Sequence, residues 1–284
     1  MVQTGFGQEQ SSMKNFLFFV LFITISSVAK EPPQSDFKWQ VGEELFYKVR
    51  YAFFTVGTLH FEVLKKDTLR GRNVYHCRML MKSNTAVPFV PNIEDTYESL
   101  IDEEFYSHIF WSFEKQKDHW LVTRYDMDYE REQIHILMEK QFPADTVVVK
   151  DSTVAVTQKV QDGLSLLFYA RANAKKKAQE NVPVFTFFEH RDTFINFSGE
   201  LDEVKARGKD VDGFYLDGKM KFVGIAGVKD DFKGWFSQDE QSVPLHAKMK
   251  AIVGSVRLNL EWWKNWSGDH VLPPPNFEDE ESSD

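Results

Sequence analysis

A single cysteine, Cys77, occurs in 284 residues, and one thiol cannot close an intramolecular disulfide. A fold held by covalent staples is therefore excluded. Long apolar runs are scarce too: Phe16–Ile25 is the prominent one, and it is too short to span a bilayer. Positive charge is not in excess. The formal net charge is −9, and five acids in the last seven residues (Glu278, Asp279, Glu280, Glu281, Asp284) leave the folded body at about −4. Nucleic acid and anionic lipid headgroups select basic surfaces, so neither is expected as a partner.

Signatures of chemistry are missing as well. None of the eight histidines forms a pair at the short spacings that helix or hairpin metal sites use. Gly163-Leu164-Ser165 begins like a nucleophile elbow, but Leu167 stands where the second glycine belongs. Asp210-Val211-Asp212-Gly213 opens like a calcium loop and lacks the third carboxylate and the closing Glu. Asp126 and Asp128, two apart, share a strand face and read as a solvated surface. Cys77 alternates with Tyr75 and Met79 and reads as a buried, inert thiol. No catalytic residue, metal ligand or cofactor is expected, and the chain reads as a non-enzyme.

What is present begins with an export signal. Met13-Lys14-Asn15, the apolar run and the small residues Ser26-Ser27-Val28-Ala29 have the three parts of a secretory leader. We assign 1–29 to the signal peptide, with Met13 as the true start, and 30–36 to a linker. One β-rich domain follows over 37–267, and then a Pro-rich, acidic tail over 268–284. No membrane span is expected once the leader is removed, and the expected location is periplasmic or secreted.

The body alternates with period two. Leu45, Tyr47, Val49 and Tyr51 share one face, and Val256, Leu258 and Leu260 alternate with Arg257, Asn259 and Glu261. Such strands form antiparallel sheets with one dry face. Gly57 suggests a bulge or turn, Pro244 a strand start or an edge strand, and Asp212-Gly213 and Asp217-Gly218 tight turns. Val147–Val149 and Thr153–Val156 read as two short runs. Only one segment reads as a helix, near 162–178, with Asp162 as N-cap and Lys175-Lys176-Lys177 at its C-terminal end. The fold class expected is mainly β: a large curved antiparallel sheet, half-barrel or barrel, with this one main helix. Aromatic residues make up 15% of the chain, as core filler or as the lining of a cavity. The candidate ligand-lining residues are Phe54, Phe89, Trp111, Phe222 and Trp235.

In order, Gly42-Glu43-Glu44-Leu45-x-Tyr47, Gly57-Thr58, Asp162-Gly163-Leu164-Ser165-Leu166-Leu167-Phe168-Tyr169-x-Arg171, Trp235-Phe236-Ser237-x-Asp239-Glu240, Val243-Pro244-Leu245 and Gly254-Ser255-Val256 resemble a bacterial exported family known as a domain of unknown function, number thirty-one-oh-eight. The chain departs from it at Val211-Asp212-Gly213, where relatives carry a Pro- or Ala-Gly turn. The resemblance implies an envelope β-sheet protein, similar in architecture to the half-barrel lipid carriers of the periplasm. Three functions follow as expectations. The first is a non-enzymatic protein binding a lipid or other apolar ligand in a concave sheet. The second is a structural or assembly factor working through contacts with an envelope protein. The third is an envelope hydrolase whose carboxylates the sequence does not single out.

Overall fold

The computed structural model describes residues 36–88, 90–220, 230–250, 254–268 and 272. The expected leader (1–29) and most of the expected tail (268–284) lie outside them. Eight strands come first: β1 (Glu44–Tyr51), β2 (Phe54–Leu69), β3 (Arg72–Ser83), β4 (Glu94–Asp102), β5 (Ser107–Lys115), β6 (Trp120–Asp128), β7 (Gln133–Gln141) and β8 (Thr146–Ala155). The helix α1 (Ser165–Asn173) follows. Six more strands follow among the described residues: β9 (Lys177–Thr186), β10 (Glu189–Ala206), β11 (Lys209–Met220), β12 (Asp230–Phe236), β13 (Pro244–Lys250) and β14 (Ser255–Lys264).

All fourteen strands form one curved antiparallel sheet that does not close into a barrel, in the order β8-β7-β6-β5-β4-β3-β2-β1-β14-β13-β12-β11-β10-β9. Every neighbour is also a sequence neighbour except β1 and β14, which join the two halves. The sheet's two edges, β8 and β9, are therefore consecutive in the chain, and the segment between them carries α1. That segment also borders the β9 edge: Gln161 donates to the Pro183 carbonyl at 2.8 Å, and its own carbonyl accepts from Phe185 N–H at 2.8 Å.

The period-two reading holds across the sheet. Leu45, Tyr47, Leu59, Val63, Cys77, Met79, Tyr97, Tyr125 and Ile136 are buried on one face in a single cluster, and the alternate residues form the outer face. A bulge at Val56 shifts the β1–β2 register between Val49 and Arg50. Its neighbour Gly57 has no room for a side chain, since a Cβ there would stand 2.5 Å from the Lys82 carbonyl oxygen. β13 starts at Pro244, as a residue without an amide hydrogen requires.

Several boundaries differ from the sequence reading. Asp212-Gly213 and Asp217-Gly218 make no turns; both lie inside β11, and the β10–β11 turn is at Arg207-Gly208. These two glycines serve close approach instead. A Cβ on Gly218 would come within 2.3 Å of the Phe194 carbonyl oxygen and the Phe232 ring, and one on Gly213 within 3.0 Å of the Phe236 carbonyl oxygen. Val147–Val149 and Thr153–Val156 do not form separate runs, because residues 146–155 pair continuously with β7 through one bulge. The helix ends at Asn173, and Lys177 already opens β9.

The N-cap is Leu164 and not the expected Asp162, but Asp162 braces the turn that leads into the helix. Its Oδ1 accepts from Leu164 N–H at 2.6 Å and Ser165 N–H at 2.7 Å, and its Oδ2 accepts from Ser99 Oγ at 2.5 Å. Full burial pushes this carboxyl above its usual range, against the hydrogen bonds from the serines and backbone amides. Asp162→Ala removes two backbone acceptors at once, and a deletion of this capping kind costs about 1–2 kcal/mol. Urea unfolding is expected to show that loss, with Asp162→Asn, which keeps an acceptor, falling closer to the parent.

Candidate functional site

The concave side of the sheet, where an apolar ligand was expected, is occupied by the protein's own residues. α1 and its two cap residues bury Leu164 and Phe168 in the main cluster, and Ala170 and Ala174 in a second cluster with Val182, Ile195, Phe197, Leu216 and Phe236. Two apolar faces on nine residues leave the helix little polar surface. Trp39, just before β1, stacks on Tyr75 at 4.2 Å and on Phe168 at 4.8 Å between ring centres. Arg171 is 1% exposed and sends two parallel hydrogen bonds of 2.7 Å to the carboxylate of Glu43. It also donates to the Gln241 carbonyl at 2.8 Å and 3.1 Å, and its guanidinium lies over the rings of Phe37 and Phe168. Burial alone would favour the neutral arginine, but Glu43 outweighs it and holds the group charged. A cavity of about 20 Å³ beside Arg70, His108, Met127 and Tyr129 has room for a water rather than an acyl chain.

Of the five expected lining residues, the three that are described (Phe54, Trp111 and Trp235) do not come together. Trp111 is on the outer face, where Arg124 lies 5.8 Å from its ring centre and His76 is beside it. Trp235 is also on the outer face, between Tyr215 and His246, with its Nε1–H donated to Asp202 Oδ2 at 2.9 Å. Phe54 stands at the β1–β2 tip, 53% exposed. Phe89 and Phe222 lie outside the described residues.

Two constellations that sequence spacing did not reveal appear once strands are in register. On the outer face, Glu44 is opposite Glu62 and Phe46 is opposite His60, which brings donor atoms of Glu44, His60 and Glu62 within 4.8 Å of one another. His60 Nε2 is 3.2 Å from Glu44 Oε2, without hydrogen-bond alignment. Each carboxylate already has a cation: Lys264 is on Glu44 at 2.8 Å, and Arg78 is on Glu62 at 2.6 and 3.0 Å. Burial pushes Glu44 upward, but Lys264 and then His60 pull it below the usual carboxylate range. The donor set suits a cation, and the protein's own cations compensate it.

The second constellation is a carboxyl pair on the concave face. Asp95 and Glu114 are directly opposite on β4 and β5. Burial raises both, and the Asp95 charge raises Glu114 further. Tyr97 Oη donates to Asp95 at 3.4 Å and Ser112 Oγ to Glu114 at 3.2 Å. Two carboxyls held above their usual range on neighbouring strands are the kind of group acid–base catalysis uses.

His246, beside Trp235, donates its Nδ1–H to Asn259 Oδ1 at 2.9 Å. Burial holds it below the usual histidine range, with Arg257 and Lys248 adding to the effect and the Asn259 contact opposing it. A depressed imidazole favours the folded state only while neutral. That contribution is present above the ordinary histidine pKa and is lost as pH falls through it toward the depressed value. Lys248→Gln is expected to raise the His246 pKa in an NMR titration, and an unmoved value would show that the lysine does not act on the ring.

No match was found among curated proteins. Solved structures that match the chain include two of low identity. One is the beta-barrel-like protein of the domain of unknown function DUF1849 from Brucella abortus, 10% identical with a TM-score of 0.49, covering 80% of this chain and 98% of that one. The other is a candidate exported protein with a YmcC-like fold from Bacteroides fragilis, 7% identical with a TM-score of 0.37, covering 82% of this chain and 100% of that one. The family model for the protein of unknown function DUF3108 matches residues 47–261, from β1 through β14, and the chain belongs to that family.

Proposed function

We propose that this is an exported, non-enzymatic protein of the cell envelope that acts through its surface, with an interior filled by its own helix. The observation that carries this reading is the occupied concave side, where α1, Trp39 and the Arg171–Glu43 pair lie in the space a carrier would leave for an acyl chain. Export is supported by the leader-like start of the sequence. None of the described helices is long and apolar enough to cross a membrane. Organic-solvent extraction of the purified protein followed by mass spectrometry tests the filled interior. No stoichiometric apolar molecule is expected; a bound lipid displaced one-for-one by a fatty acyl probe would restore the carrier reading.

A hydrolase is the second reading, and Asp95 with Glu114 is the observation that favours it. Activity on envelope polysaccharide or lipid that disappears in both Asp95→Asn and Glu114→Gln would establish it in place of the first.

A further inference from the structure

Read across the strands, the outer face contains a row that the linear sequence hides. Lys233 on β12 is opposite Lys248 on β13, Lys248 is opposite Arg257 on β14, and Arg257 is opposite Arg50 on β1. Phe236, Leu245, Leu258 and Val49 pack into the buried clusters, so these alternate residues all project from the other face. Four cations thus stand side by side on four adjacent strands. Like charges directly opposite in a sheet repel and weaken it, and an acidic chain has no general surplus of cations to place there. Asp217 is opposite Lys233 at one end of the row, and Thr55 is opposite Arg50 at the other. Asp231, two residues from Lys233 on the same face, lies 3.9 Å from Lys250; Lys233 itself lies over the Tyr215 ring, and Arg257 donates to the Ala52 carbonyl oxygen.

That last contact ties the row to a second feature. Ala52 begins the β1–β2 turn, and the next two residues are Phe53, 92% exposed, and Phe54, 53% exposed. Their rings touch each other edge to face at 6.1 Å. Two aromatics at the end of a hairpin, with a cation row that starts at Arg50 on β1 and runs across β14, β13 and β12, match the two layers of a membrane surface. Apolar rings enter the acyl boundary while arginine and lysine meet lipid phosphates. A soluble polyanion would use the cations and leave the phenylalanines without a role.

We propose that the β1–β2 tip (Phe53, Phe54) and the Arg50–Arg257–Lys248–Lys233 row together dock the protein on the surface of an anionic lipid bilayer. The proposal rests on the surface-acting reading and names its partner. It also corrects the expectation from net charge, which averages over the chain a surface that the strand register divides.

The test is flotation of the protein recovered after export, with vesicles of phosphatidylcholine alone or with roughly one-third phosphatidylglycerol. Binding is expected only to the anionic vesicles and is expected to fall as salt rises. Each neutralised cation should weaken it roughly fivefold, so Arg50→Gln with Lys248→Gln should weaken it roughly thirtyfold. Phe53→Ser with Phe54→Ser, exposed positions whose change leaves the core untouched, should weaken it as well. Circular dichroism of each variant confirms that the fold is kept. Equal binding to both vesicles, no flotation with either, or a phenylalanine pair without effect would overturn the proposal. So would binding to soluble heparin that loses strength with the cations but not with the aromatics. Transfer of a labelled lipid out of the vesicles would instead contradict the filled interior, so the two failures are distinguishable.

Discussion

Replacing Arg171 with leucine is expected to destabilise the protein by about 3–5 kcal/mol, the usual cost of removing one partner from a buried ion pair. Glu43 would be left as a 3% exposed carboxylate, retaining only the 2.9 Å hydrogen bond from Gln241 Nε2. The Gln241 carbonyl would lose both its contacts from the guanidinium. Three separate parts of the chain meet here, namely α1, the approach to β1 and the β12–β13 turn, so the loss should appear in global unfolding rather than local fraying. Glu43→Leu is expected to be about as damaging, for the mirror-image reason. Combining the two removes the unpaired charge, and the double variant should recover part of the loss. Arg171→Lys should not rescue, because an ammonium cannot make the two parallel bonds to Glu43. Urea unfolding of the four variants reads all of these outcomes.

Phe168→Ala is the second large effect, again about 3–5 kcal/mol. The ring is 1% exposed, packs against Trp39 and lies beneath the Arg171 guanidinium. Its removal opens a cavity on the concave side, close to where a carrier would hold an acyl chain. Phe168→Leu refills most of the space and should lose less. If the interior tolerated Phe168→Ala with a loss below about 1 kcal/mol, the site would not be closely packed. Acyl-probe binding that appears only in Phe168→Ala would fit a filled interior made hollow by the substitution.

The architecture was legible because strand periodicity is local information. Leu45, Tyr47 and Val49 announce their face without knowledge of their partners, and Asp162 signals the approach to the helix through its own hydrogen-bonding chemistry. Register is not local. Nothing in the sequence places His60 beside Glu44, Glu114 beside Asp95, or Arg50 in line with Arg257, because each pair depends on hairpin bulges and on which strands meet. The same limit misplaced Trp111 and Trp235: alternation along a strand does not say which face is the inner one until the neighbours are known, and both face outward. Asp212-Gly213 and Asp217-Gly218 misled for a related reason. A glycine tolerates a turn, but it also tolerates a backbone pressed against its Cα, and only the Phe194 and Phe236 carbonyls on the adjoining strands decide between these.

The central claim is that α1 is part of the core and fills the sheet it lies between. Amide hydrogen exchange over residues 165–173 tests it most directly. The account predicts that Phe168 to Arg171 exchange as slowly as the central strands β1 and β2, through global unfolding. Exchange of the helix at the rate of the exposed turns, with the strands still protected, would contradict it.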